Sequence, residues 1–357
     1  MPTVPNYCYH PRMMEYDFGP RHPLKPIRLE LTRQIIESAA EIQVIDPGMG
    51  SELDLLRVHT PDYLRLVQDA SAGERIPQGM AQKYGIGTGD TPIFPGMYEA
   101  SLSYCAGSAH AAKLVNEGAP IAFNMSGGLH HAQRSFGSGF CVFNDAAIAA
   151  SILRDEFSRV AYVDIDVHHG DGVEAIFLDD PTVMTCSIHQ MSPGFYPGTG
   201  HYAQTGVDCT TVNIPLEAET TGDTWFWAFE TGIMPALRRF QPEAIVLQMG
   251  ADPHELDPLA HIRCKAQDWL RAVSAVQSLE VPIVALGGGG YNLETVARMW
   301  AAAVLTLSSI RVPEHLPASV SNVIETTLMM DADDAQRPTI GMDFAQRVVD
   351  FLHKNCP

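Results

Sequence analysis

The chain has 357 residues, 46% of them hydrophobic, and a formal net charge of −19. That length and apolar content suffice for one large α/β domain, and the negative balance excludes a surface built for nucleic-acid backbone, which needs clustered Lys and Arg. No apolar run approaches the roughly 20 residues that span a bilayer, and the opening Met1-Pro-Thr-Val-Pro-Asn-Tyr-Cys8 lacks the basic and apolar regions of a secretory signal. A soluble, cytoplasmic protein with neither a membrane nor a nucleic-acid partner is expected, although the charge equally suits a cationic ligand such as a lysine-bearing peptide or a polyamine.

Along the chain, Gly85-Ile-Gly-Thr-Gly89 reads as an irregular surface loop. Residues 119–124 form a short apolar run that predicts a strand, leading into Ser126-Gly-Gly-Leu-His-His131. A His-His pair is more often an ordinary loop or core feature, but Gly127 and Gly128 would let the backbone approach a ligand. A helix is expected over 145–157 with Asn144 as its N-cap. The next apolar run, 160–166, carries Asp164 and Asp166 and leads to His168 and Asp171. In an extended segment Asp164, Asp166 and His168 project to one side. Burying two carboxylates together is costly unless a cation sits between them.

Further strands are expected over 182–188, 244–249 and 281–286, and helices over 265–279 and 293–307. Strand 244–249 leads into Gly250-Ala-Asp252, where Asp252 alone is equally a helix N-cap. Strand 281–286 leads into Gly287-Gly-Gly-Gly-Tyr-Asn292, which lacks the Lys-Ser/Thr of a P-loop and the spacing of a dinucleotide fold; a tight turn presenting Tyr291 is the better reading. Seven cysteines, with no CxxC spacing, predict reduced and mostly buried thiols. No repeat, low-complexity tract or linker breaks the chain, so residues 1–357 read as one domain.

Strands alternating with helices imply a mostly parallel sheet in a three-layer α/β sandwich. The unusual polar residues follow the C-terminal ends of four of its strands, the edge where such sheets place ligands. A mixed Asp/His set is one that Zn²⁺ accepts, and fewer than four protein ligands leave room for a reactive water.

Taken together, the motifs resemble the metal-dependent histone deacetylase superfamily, in its class I-like and bacterial acetoin-utilisation-type branch. The resemblance runs over about residues 16–307. It covers His22-Pro-Leu-Lys-Pro-Ile-Arg28, Lys83-Tyr-Gly-Ile-Gly87, Gly127-Gly-Leu-His-His-Ala132 and Ser138-Gly-Phe-Cys-Val-Phe-Asn-Asp145. It continues through Asp164-Ile-Asp-Val-His-His-Gly-Asp-Gly172, Ser192-Pro-Gly-Phe-Tyr-Pro-Gly-Thr-Gly200, Gly250-Ala-Asp252 and Gly287-Gly-Gly-Gly-Tyr-Asn292. Residues 308–357 form a closing segment with a helical end near 344–352.

The resemblance implies an arginase/deacetylase-like fold and a hydrolase that removes acyl groups from the ε-amine of lysine. Its ligands for one Zn²⁺, or Fe²⁺, are Asp166, His168 and Asp252. His131, bonded to Asp171, would take the proton of water and later protonate the leaving amine, with His130, held by Asp164, as electrostatic support; the division of roles within the pair stays open. Tyr291 would donate to the oxyanion. Phe140 and Tyr196 would wall the tunnel for the acyl-lysine stem, Asp90 would hold the substrate backbone at the rim, and Gly139, Leu259 and Gly289 would also meet substrate. Arg28 would line the cavity for acetate exit. Potassium sites are implied near Asp164, Asp166, His168, Ser187 and Ile188, and near Phe177 and Val183, with Asp180 beside the latter.

Two departures stand out: Leu129 where many eukaryotic relatives carry Trp, and Tyr196 where many carry Phe, a change that could alter acyl preference. The alternative activity is acetylpolyamine hydrolysis, which favours an acidic gatekeeper at the tunnel mouth. That position falls on the apolar Leu259, though Glu255 and Asp257 are close in sequence. A ureohydrolase-like dinuclear manganese enzyme is disfavoured by the order Asp-x-Asp-x-His. A binding protein that has lost catalysis is disfavoured because every ligand, both histidines and the tyrosine are present. The oligomeric state is not written in the sequence.

Overall fold

The computed structural model describes residues 2–332 and 337–356. Its strands are β1 (Asn6–Cys8), β2 (Gln43–Ile45), β3 (Ile121–Asn124), β4 (Val160–Asp164), β5 (Val183–Gln190), β6 (Thr211–Leu216), β7 (Ala244–Gln248) and β8 (Ile283–Leu286). They form one eight-stranded sheet in the order β2-β1-β3-β8-β7-β4-β5-β6, and every neighbouring pair is parallel.

The central strands are unbroken apolar runs because both of their faces are covered, and side-chain alternation divides each run between two cores. On β4, Ala161 and Val163 join one core while Val160 and Tyr162 join the other; on β7, Ile245 and Leu247 oppose Ala244 and Val246. Helices Ile27–Ala39, Ala266–Gln277 and Leu293–Leu307 close the first core, and helices Met97–Asn116 and Asp145–Leu153 close the second. This is the expected three-layer α/β sandwich. Asn144 caps its helix, accepting a bond from the Ala147 amide, but the helix ends at Leu153 because the chain turns there to enter β4.

The strand order places the site. β3 and β4 are separated in space by β8 and β7, which the chain lays down later. The four strands followed by His130/His131, Asp166/His168, Asp252 and Tyr291 are therefore contiguous at the centre of the sheet, and their C-terminal ends open on one edge.

Two expectations need correction. The strand over 160–166 stops at Asp164, because Asp164 Oδ1 accepts the Asp166 amide (3.1 Å) and Asp166 Oδ1 accepts the His168 amide (3.0 Å). Such side-chain bonds two residues on break the extended ladder, so Asp164, Asp166 and His168 do not share one strand face. The thiols are also not all reduced: Cys209, in the turn before β6, and Cys356, just past helix Met342–Asn355, form a disulfide. That helix packs Val348 and Leu352 into the core that holds Val212 and Ile214 of β6, which brings together two cysteines 147 positions apart. The remaining five cysteines are free and buried, as expected.

Candidate active site

Asp166, His168 and Asp252 offer ligand atoms within 4.8 Å of one another, and all three are buried. His168 Nδ1 stands 3.1 Å from Asp166 Oδ1 and 3.1 Å from Asp252 Oδ2. The other oxygen of each carboxylate is engaged elsewhere. Asp166 Oδ2 accepts from Gln248 Nε2 (2.8 Å) and the Gly289 amide (2.8 Å), and Asp252 Oδ1 accepts from the Val167 amide (2.9 Å). Two carboxylate oxygens and one imidazole nitrogen are thus aimed at a common point, with their outer atoms fixed by neighbours, as metal ligands are. A side chain at Gly250 or Gly289 would ruin this, since a Cβ would lie 2.1 Å from Asp166 Oδ2 or 2.0 Å from Asp252 Oδ2 respectively.

The electrostatics point the same way. Burial, reinforced by the Asp166 charge, pushes the Asp252 carboxyl up to about 8. Burial would lower His168, but its bonds to Asp166 and Asp252 outweigh that and raise it to about 10. The cluster retains protons because its carboxylates are buried side by side without a counter-charge; a dication held by the same three residues would replace those protons.

Beside the cluster, each histidine of the pair gives its Nδ1–H to a carboxylate: His130 to Asp164 Oδ2 (2.7 Å) and His131 to Asp171 Oδ1 (2.6 Å). Carboxylates only accept, so the 3.0 Å bond between the two Nε2 atoms requires one further proton. That proton belongs on His130. Burial would lower His130, but the charges of Asp164 and Asp166 hold it at about 9; His131 is lowered to about 4 by burial and then by the His130 charge. His131 is thereby a neutral imidazole whose Nε2 accepts that bond, and it can take a proton there once the His130 N–H turns to another acceptor. The Tyr291 phenol, raised well above its ordinary value by burial and by Asp252, stays a donor.

A cavity of about 290 Å³ leads to these groups, lined by Asp90, His131, Gly139, Phe140, His168, Gly194, Phe195, Tyr196, Leu259 and Tyr291. Gly139 (φ 54°) and Phe140 (φ 67°) both take the left-handed conformation that turns the Phe140 ring toward Tyr291, at 5.7 Å between ring centroids. Asp90 sits at the mouth with Oδ2 accepting the Gly139 amide (2.7 Å), and the Tyr196 hydroxyl is bonded to Ser138 Oγ (2.5 Å).

Most residues singled out in the sequence therefore meet in one place. Gly289 is turned to the metal-ligand side, its amide bonded to Asp166. Arg28 is buried behind Tyr291, donating from Nη1 to Gly288 O (2.8 Å) and Gly290 O (3.2 Å); the space beside it, shared with Leu129, is about 10 Å³, about that of one water. Asp257 cannot guard the mouth, because it is buried with both oxygens bonded to backbone amides. Ser187 pairs in register with Asp164, whereas Phe177 and Val183 lie together around Asp180, and Val183 is roughly 13 Å along β5 from Ser187.

Sequence reasoning missed several supporting residues. Gln248 ends β7 and reaches Asp166; the Tyr162 hydroxyl donates to Asp164 Oδ2 (2.6 Å); Asn144 Nδ2 donates to the carbonyls of His130 (3.0 Å) and Ala132 (2.8 Å). Phe195 stacks on His168 at 5.1 Å between ring centroids.

The histone deacetylase domain matches residues 22–307 of this sequence, a span that holds every residue of the site. The chain belongs to the histone deacetylase family. It is 36% identical over 325 residues to the acetoin utilization protein AcuC of Bacillus subtilis, covering 87% of this chain and 84% of that one. It is also 36% identical over 321 residues to histone deacetylase clr6 of Schizosaccharomyces pombe, covering 87% and 78%. Among solved structures, an HDAC homolog from Aquifex aeolicus superposes with a TM-score of 0.89 at 26% identity over 98% of this chain and 99% of that one, and an HDAC homolog complexed with SAHA matches equally well. The expectation of a deacetylase-family, AcuC-like protein with this fold is borne out.

Proposed function

We propose that this protein is a zinc-dependent lysine deacetylase, acting as a single domain over residues 1–357 in the cytoplasm, with an acetylated peptide or protein as substrate. The observation that carries the reading is the tunnel: an apolar barrel of Phe140, Phe195, Tyr196 and Leu259 ends on His131, His168 and Tyr291. A four-carbon stem capped by a neutral amide suits such walls, whereas a free ammonium would lose its hydration there.

Asp166, His168 and Asp252 would hold the ion, which when bound supplies an acidified water and polarises the amide carbonyl. His131 Nε2 takes a proton from the attacking water, and the resulting imidazolium, steadied by Asp171, gives a proton to the leaving ε-amine as the C–N bond breaks. His130, kept charged by Asp164, supports the negative charge that develops on the carbonyl oxygen. Tyr291 donates its hydroxyl to that same oxygen. Potassium near Asp164, Asp166, His168, Ser187 and Ile188, and near Phe177 and Val183, would have a structural role.

Lysine is favoured over polyamine because, among the described lining residues, Asp90 is the only carboxylate outside the ligand and histidine shells, and it is bonded to Gly139. Leu259 faces the cavity where a second ammonium would pass. The test compares kcat/KM for acetyl-lysine peptides with that for acetylspermidine and acetylputrescine, with and without chelator. Higher efficiency on the peptides, lost on chelation and restored by zinc, is expected; the reverse ranking would make the protein a polyamine hydrolase.

A further inference from the structure

The tyrosine at the end of the tunnel stands in a turn of four consecutive glycines, Gly287–Gly290, which has no side chains of its own to hold it. Gly288 (φ 142°) and Gly290 (φ 129°) adopt backbone conformations open essentially to glycine alone. Such a turn does not specify a single position for Tyr291, so its placement must be imposed from outside. Arg28 and Asp166 bond the glycines themselves, and the segment that follows the metal ligand Asp252 supplies the bond to the amide of Tyr291. Asp257 is only 6% exposed. Its Oδ2 accepts the Tyr291 amide at 2.7 Å, its Oδ1 accepts the Leu259 amide at 2.9 Å, and its own amide is bonded to His254 O at 2.9 Å. A second tie runs beside it, from Asn292 Nδ2 to Leu256 O at 3.0 Å.

We propose that Asp257 is a positioning residue that uses one carboxylate to hold the backbone of Tyr291 at the reacting end of the tunnel and that of Leu259 at its mouth. This deepens the deacetylase reading and rests on it. The carboxylate joins the loop bearing one metal ligand to the turn bearing the oxyanion donor, so the Tyr291 backbone is tied to the Asp252 loop by a carboxylate–amide bond and not by glycine backbone alone. Charged acceptors make the shorter, stronger bonds to amides, and a donor to a developing oxyanion loses effect when displaced by an ångström. Asp257 itself touches no reacting atom.

The experiment combines Asp257→Asn, which keeps the shape but places an NH₂ against one of the two amides, with Asp257→Ala, Tyr291→Phe and the corresponding doubles. With an acetyl-lysine peptide, Asp257→Asn and Asp257→Ala are expected to lower kcat by about tenfold or more, with KM and bound zinc within about threefold of wild type. In the Tyr291→Phe background the same changes should cost less than about twofold, because the group they position is already gone. Hydrogen exchange of the amides in 287–292 should quicken in both variants even in metal-free protein, a readout independent of turnover. Equal losses in both backgrounds, unaltered exchange at 287–292, or an effect on KM alone would overturn the proposal. If Asp257→Ala does not fold, the same outcomes read from Asp257→Asn decide it. A wild-type protein that hydrolyses no acetyl-lysine would defeat the deacetylase reading instead, leaving the exchange result to judge the backbone tie by itself.

Discussion

At the scale of single residues, the site is a problem of charge. Asp166 and Asp252 are buried within reach of one imidazole nitrogen, and His130, His131, Asp164 and Asp171 crowd the adjoining volume. Without a cation, Asp252 (about 8) and His168 (about 10) retain protons to higher pH than their ordinary values of 3.8 and 6.5. The folded state then binds more protons than the unfolded one, so these groups favour folding most at low pH, and their contribution is lost as pH rises through about 8 toward about 10. Metal-free protein should accordingly lose thermal stability from neutral to alkaline pH. Zinc-loaded protein, in which the dication takes the place of those protons, should lose much less. Thermal unfolding across that range, with chelator and with zinc, measures the difference; identical slopes would mean that the three side chains do not share an ion.

At the scale of elements, the work falls to turns at the ends of β3, β4, β7 and β8, and these turns are rich in glycine because other backbone and the buried carboxylates lie against them. Gly289 shows this most directly, with the site of its missing Cβ 2.0 Å from Asp252 Oδ2 and 2.8 Å from Asp166 Oδ2. Gly289→Ala should weaken zinc binding by about tenfold or more, on the scale of lost outer-shell support. Gly89→Ala, where an added Cβ meets nothing within 4 Å, should leave it unchanged. Equilibrium dialysis against zinc distinguishes the two. The same elements explain what could be read from the sequence. The central strands are apolar runs with Asp, His and Gly at or just past their ends, so these strands and the edge where the polar residues gather were legible, whereas the order in which the strands pair was not. β1 and β2 are three residues each, too short to leave a pattern, and β6 is disguised by Pro215, which an edge strand tolerates. Tyr162 looks like any core residue of a strand, and Gln248 like its polar end. Asp257 acts on backbone amides that only the folded chain brings to it.

At the scale of the whole molecule, the layers bury two cores on opposite faces of one sheet, and among the described residues no helix is long and apolar enough to cross a membrane. The closing segment does more than cover the core, because the Cys209–Cys356 bridge fastens its helix to the turn before β6, with Arg239 Nη1 also donating to Cys356 O at 2.6 Å. By a chain-entropy estimate, closing so long a loop stabilises the fold by about 5 kcal/mol. Such bridges are uncommon in a reducing cytoplasm, so thiol state is a variable of this protein in its own right.

The bridge also turns everything from Cys209 to Cys356 into a covalent ring. Asp252, Asp257 and Tyr291 lie on the ring, whereas His130, His131, Asp166 and His168 lie on the tail that precedes it. One peptide bond cut within the ring therefore opens it without releasing a fragment: an oxidised, nicked molecule keeps its full mass on a denaturing gel until a thiol is added, and then falls into two pieces. Limited proteolysis followed by paired gels, with and without reductant, should show this behaviour for cuts after Cys209 and not for cuts before it. Matching band patterns in both gels would mean that the two sulfurs are not joined in solution.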